Sequence, residues 1–226
     1  MTFIKNLMIK EENLKEIANL LKKIPTRWDG KESILEMKNN NGKNWKQMEW
    51  IGFYFEYICQ KYLKEIMEFH KIKYGRTSFD GFLDVPFDFK THILNSISKT
   101  KDSVINDTEA ILNALQDYRY MVIIMVLGNA EYNDINRTFQ NWHEEIKGGK
   151  SKYELDRIKR KAPSRLRKIR FDVKEIIIFK FDKNILERCK GFQKGFRNSN
   201  GKPRRPKVSL NPNDLLENEI IGRIKF

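Results

Sequence analysis

Seven consecutive apolar residues, Met121 to Leu127, closed by Gly128, constrain the fold more than any other segment of this chain. A half-exposed strand alternates polar and apolar side chains, so an unbroken run implies burial on both faces, as in a central strand covered by other layers. The run is far too short to span a bilayer. A second stretch, Lys174 to Phe181, has the apolar centre Ile176-Ile177-Ile178-Phe179 and reads as another strand. Helical patterns surround these strands. Glu11 to Lys23 is amphipathic and ends before Pro25, Asp107 to Tyr118 has Asp107 or Thr108 as its cap, and Asn136 to Ile146 runs into Gly148-Gly149. Gly30 to Gly42 reads as a polar connector. The longest helical pattern is Asn44 to Phe69, where Trp45, Met48, Ile51, Phe55, Ile58, Tyr62 and Ile66 recur at three- and four-residue steps. Together these predict an α/β fold, a mixed central sheet flanked by helices. With 226 residues, 40% hydrophobic and 12% aromatic, one domain over 1–226 is expected and a disordered chain is excluded.

The chemistry concentrates in Phe79-Asp80-Gly81-Phe82-Leu83-Asp84-Val85-Pro86-Phe87-Asp88-Phe89-Lys90. Seven residues, Gly81 and Pro86 among them, separate Asp80 from Asp88, which lets the chain fold back as a tight hairpin and bring both carboxylates to one place. On a strand, Asp88 and Lys90 share a face while Phe89 points to the core. Hard carboxylate oxygens suit Mg²⁺, which usually takes only one or two of them from a protein. A lysine beside such an ion can orient a water or offset developing charge; unperturbed, it is too basic to act as a base. Glu56 lies within the nearly all-apolar stretch Trp50 to Ile58, where an ionised carboxylate needs a cation or hydrogen-bond partners, and Gly52 one turn earlier leaves room for close approach. Asp84 reads as a turn residue. His92, two residues beyond Lys90, would share its face and serve as an auxiliary group at a phosphate or a metal-bound water. His70 and His143 have no partners at metal-ligand spacing.

A formal charge of +14 favours a polyanionic partner, and much of the excess lies in 157–207. Arg157 to Arg170 contributes Arg160, Lys161, Arg165, Arg167 and Lys168 as candidate phosphate contacts. Arg188 to Lys207 contributes Lys194, Arg197, Arg204 and Arg205, and the two clusters could line one groove. Gln193, Asn198 and Asn200 are candidate base readers. Two cysteines, Cys59 and Cys189, supply neither a disulfide framework nor a zinc site. With no leader-like apolar run at the amino terminus, a cytoplasmic protein that enters no membrane is expected.

The hairpin resembles the PD-(D/E)xK nuclease superfamily, with Asp80 as the first acid and Asp88-Phe89-Lys90 as the D-x-K element. Trp50-Ile51-Gly52-Phe53-Tyr54-Phe55-Glu56 looks like the pre-hairpin helix of type II restriction endonucleases. The nominal proline of the first half is missing, since Phe79 precedes Asp80 and Gly81 follows it. The resemblance covers Asn44 to Phe181 and implies a restriction-endonuclease-like core. It also implies Mg²⁺ held by Asp80, Asp88 and Glu56, with Lys90 positioning the attacking water. The implied activity is hydrolysis of double-stranded DNA at a short palindromic, AT-rich site by a homodimer, with a cognate DNA methyltransferase protecting the host site. The alternatives are a structure-selective or repair nuclease of the same superfamily, or a non-catalytic nucleic-acid-binding protein.

Overall fold

The two apolar runs lie side by side at the centre of a curled, mixed sheet flanked by helices. The computed structural model describes residues 8–42, 44–69, 79–97, 101–164, 166–192, 195–197 and 203–226. In chain order its elements are α1 (Glu11–Leu21), β1 (Arg27–Asp29), α2 (Gly30–Asn39), α3 (Trp50–Leu63), β2 (Glu68–Phe69), β3 (Gly81–Leu83), β4 (Val85–Ile93), β5 (Ser103–Asp107), α4 (Thr108–Tyr118), β6 (Met121–Glu131), α5 (Thr138–Ile146), α6 (Lys152–Lys159), β7 (Arg170–Phe181), α7 (Lys183–Arg188), β8 (Lys190–Phe192), β9 (Lys207–Leu210) and β10 (Ile220–Lys225). The main sheet has the order β1-β7-β6-β4-β3-β2, with β10 also paired to β7. Strands β4 and β6 are parallel, and the other pairs are antiparallel. A second, three-stranded sheet has the order β5-β9-β8.

Two hydrophobic cores on opposite faces of β6 explain its unbroken apolar sequence. Val122, Ile124 and Val126 face one core, built from residues of α1, α2 and α3 with Phe87 and Phe89 of β4. Met121, Ile123, Met125 and Leu127 face the other, with Ile111 and Leu115 of α4, Ile185 of α7 and Val208 and Leu210 of β9. Alternate side chains of a strand point to opposite faces, so a strand between two cores needs apolar residues at every position.

Gly128 does not end this strand, as its position after the run suggests. Strand β6 continues to Glu131, with a shift in register between Leu127 and Gly128 against β7. A Cβ at Gly128 would lie 2.3 Å from the Asp172 carbonyl oxygen and 2.6 Å from the Phe171 ring, so the glycine admits a close approach of neighbouring chain.

Two helical expectations are corrected. Gly30 to Gly42 is largely helix α2, because Asp29 caps it by accepting from the Lys31 and Glu32 amides at 2.9 and 3.2 Å. Gly30, Ser33, Ile34 and Met37 then form a buried stripe that the polar composition concealed. The long helix Asn44 to Phe69 is shorter, Trp50–Leu63. Trp45 and Met48 precede it and meet α5, where His143 Nε2 donates to the Trp45 carbonyl at 2.9 Å and Nδ1 lies 2.9 Å from Met48 Sδ. Glu68 and Phe69 pair with Phe82 and Gly81 as an edge strand. Among the described residues no helix is long and apolar enough to cross a membrane.

Candidate active site

The hairpin of β3 and β4 brings Asp80 opposite Asp88. The turn is tight: Leu83 pairs with Val85, and Asp84 between them takes a positive φ of 60°. Its carboxylate accepts from Asn13 Nδ2 at 3.4 Å, consistent with a turn role. The Asp80 amide donates to the Phe87 carbonyl at 2.8 Å, and Asp80 Oδ2 accepts from the Phe89 amide at 2.9 Å. The first acid is thus tied to the strand that carries the second. Phe89 is buried in the core and forms an edge contact with Phe55 of α3, so Asp88 and Lys90 on either side of it turn to the opposite face.

Lys90 Nζ bridges the carboxylates, 3.5 Å from Asp80 Oδ2 and 3.3 Å from Asp88 Oδ2. Asp88 is 1% exposed, and Asn106 of β5 donates to its Oδ2 at 2.6 Å. Glu56 joins the group electrostatically from α3. Burial pushes its carboxyl up to about 8, with Asp80 and Asp88 adding to the rise and Lys90 opposing it. Burial likewise pushes Asp88 up to about 7, with Lys90 and Asn106 opposing and Asp80 adding. Burial alone would lower the Lys90 pKa, but the three carboxylates outweigh it and raise the ammonium above its ordinary value. Asp80, Asp88 and Lys90, expected from the sequence, therefore stand together, with Glu56 in electrostatic reach of them.

The cluster holds more acid than base: three carboxyl groups face a single ammonium in a partly desolvated site. That imbalance, with hard oxygen donors from two segments, suits a divalent cation. Among the described residues, however, no three His, Cys, Asp or Glu side chains stand together as a metal cage. Within the hairpin the ammonium of Lys90 bridges the two acids that do stand together, Asp80 and Asp88. A cation would enter by shifting the lysine, with Asp80 and Asp88 as its protein ligands and Glu56 balancing charge.

His92 has its described hydrogen-bond partner on β5 rather than in the cluster. It is buried, burial lowers its pKa, and Nδ1 lies 2.9 Å from Ser103 Oγ of β5, so it helps join the two sheets. Gly52 is not required for close approach, because a Cβ there would sit 3.6 Å from Thr91 Oγ1, an ordinary packing distance. His143 is a buried core histidine, its pKa lowered by burial to about 4. Both Cys59 and Cys189 are free thiols.

Of the basic candidates, Arg167 and Arg204, one from each cluster, line a single cleft of about 960 Å³ together with Lys46, Lys147 and Lys207. Phe53 and Val104 also line it. Glu49, Glu144 and Glu154 line it as well, whereas Asp80, Asp88, Lys90 and Glu56 do not. Lys168 pairs with Glu49, and Arg205 with Asp107 at 3.3 Å. Arg160, Lys161 and Arg197 are exposed. Arg165, Gln193, Lys194, Asn198, Asn200 and His70 lie outside the described residues.

Sequence reasoning missed Asn106 and its strand. The only local signal is the β-branched pair Val104-Ile105, and the partner of Asn106 lies 18 residues away. Comparison of the chain with family models, curated proteins and solved structures gave no match.

Proposed function

We propose that this protein is a Mg²⁺-dependent endonuclease that hydrolyses phosphodiester bonds of double-stranded DNA, with a core of the PD-(D/E)xK type. The observation that carries the reading is the meeting of Asp80, Asp88 and Lys90 within one hairpin, with Glu56 of the preceding helix in electrostatic reach. When bound, the divalent ion supplies Lewis-acid polarisation of the phosphate and activation of water. Asp80 and Asp88 would hold it, and its charge would favour ionisation of Glu56 beside them. Lys90, kept protonated by its neighbours, donates to the attacking water and to developing negative charge rather than removing a proton. The cleft lined by Arg167, Arg204, Lys46, Lys147 and Lys207 takes the sugar-phosphate backbone.

The biological role proposed is that of a type II restriction endonuclease cutting a short palindromic, AT-rich site, partnered in its host by a protecting DNA methyltransferase. A palindrome calls for a twofold homodimer, with α1 or α4 at the interface. The test is digestion of a plasmid of known sequence with Mg²⁺ or with chelator, followed by mapping of the ends. Ends at one repeated sequence support the restriction reading, and ends set by DNA structure point to a repair-type nuclease. No ends at all, with DNA bound in chelator, would leave a binding protein. Lys90→Ala should abolish cutting while DNA affinity stays; undiminished cutting would overturn the role given to Lys90.

A further inference from the structure

The group that fixes the orientation of Asp88 comes from outside the hairpin, and from a strand of the other sheet. Asn106 Nδ2 donates to Asp88 Oδ2 at 2.6 Å, while Asn106 Oδ1 accepts from the Asp107 amide at 2.7 Å. This second bond settles which end of the amide faces the acid. A reversed side chain would set an oxygen against a carboxylate and an NH₂ against an N–H.

The backbone is shaped to deliver the amide. Val104 pairs with Ser209 and Asp107 with Lys207, so three steps on β5 answer two on β9, and the extra residue forms a bulge that includes Asn106. Bulges re-aim side chains, and here the adjacent Ile105 anchors the turn in the core at 2% exposure. On the far side Asp107 is held by Arg205 at 3.3 Å and Lys207 at 3.8 Å, and the Thr108 amide donates to the Pro206 carbonyl at 2.9 Å. Asn106 and Lys90 both act on Oδ2 of Asp88.

We propose that Asn106 is a positioning residue that holds the Asp88 carboxylate in the orientation a divalent cation requires. The proposal rests on the nuclease reading above. Groups that orient a metal-binding side chain typically change metal affinity or activity by about 10- to 100-fold when removed. Asn106 is therefore expected to act on cation binding and turnover, not on the grip on DNA.

The experiment compares wild type with Asn106→Ala and Asn106→Gln. It measures Mg²⁺ affinity by calorimetry on chelator-stripped protein, DNA affinity without metal, and single-turnover cutting of plasmid at saturating DNA. Asn106→Ala should weaken Mg²⁺ binding by about 10-fold or more and slow turnover at limiting Mg²⁺, with DNA affinity unchanged. Asn106→Gln, which restores an amide donor one methylene further out, should recover part of the loss. Equal Mg²⁺ affinity and equal turnover in the alanine variant would overturn the proposal and leave the nuclease reading standing. Loss of DNA affinity in parallel with everything else, in both variants, would show a merely structural role and overturn it too. A wild type that neither binds Mg²⁺ nor cuts removes both.

Discussion

Replacing Glu56 with glutamine removes a charge while keeping the shape of the side chain, and the structure sets the sign of the effect. Burial, with Asp80 and Asp88 nearby, moves this carboxyl from an ordinary 4.5 up to about 8. The folded protein keeps the proton through that range, whereas the unfolded chain gives it up above about 4.5. Unfolding therefore releases a proton between these values, and rising pH favours the unfolded chain across that window. Three and a half units at about 1.4 kcal/mol each would amount to about 5 kcal/mol. Remaining solvent contact and coupling to Lys90 reduce the realised loss to about 2 to 3 kcal/mol. Glutamine carries no such slope. Urea denaturation in chelator should show variant and wild type nearly equal at pH 4.5, with Glu56→Gln more stable by about 2 to 3 kcal/mol at pH 8.5. Adding Mg²⁺ at pH 8.5 should stabilise wild type and narrow the gap, since a ligand that binds only the folded state raises its stability. A difference that does not change with pH, or a glutamine variant less stable at pH 8.5, would refute the reasoning.

Gly128→Ala should cost about 2 kcal/mol or more, because the new Cβ meets the Asp172 carbonyl oxygen at 2.3 Å; an unchanged melting temperature by circular dichroism would contradict the close approach. Glu154 accepts from Arg137 and Arg157 at 2.7 Å each, and these partners, Arg157 foremost, hold its carboxyl down to about 2. That stability is present above about pH 4.5 and disappears as pH falls through about 2, so Glu154→Ala should lose about 3 kcal/mol at pH 7 and converge with wild type in acid denaturation. Arg167→Ala and Arg204→Ala should each weaken DNA binding and reduce the salt slope by about one, as fluorescence anisotropy against salt would show; an unchanged slope in both would contradict the cleft as the backbone's seat.

The candidate site was readable where its causes are local. Asp80, Asp88 and Lys90 lie within one hairpin whose spacing and glycine dictate the fold-back, and Glu56 stood out as a carboxylate in an apolar helix. Asn106 had no such signal, because its meaning depends on a strand pairing across the chain and on a one-residue bulge in β5. The mixed sheet followed from the apolar runs, but the helical pattern overran its true ends. Trp45 and Met48 keep the right spacing, yet their burial comes from α5 and His143 rather than from continuation of α3. Helix α2 was hidden by the opposite effect: a charged surface outnumbers its narrow buried stripe.

A protein whose acids are already bridged by a lysine of its own chain does not need to wait for metal in order to fold. Small metallo-domains that lack such an internal latch collapse when stripped by a chelator. Here the Lys90 ammonium already pairs with Asp80 and Asp88, so a divalent cation binding as proposed would exchange with a charge the chain itself supplies, and the hairpin would keep its shape.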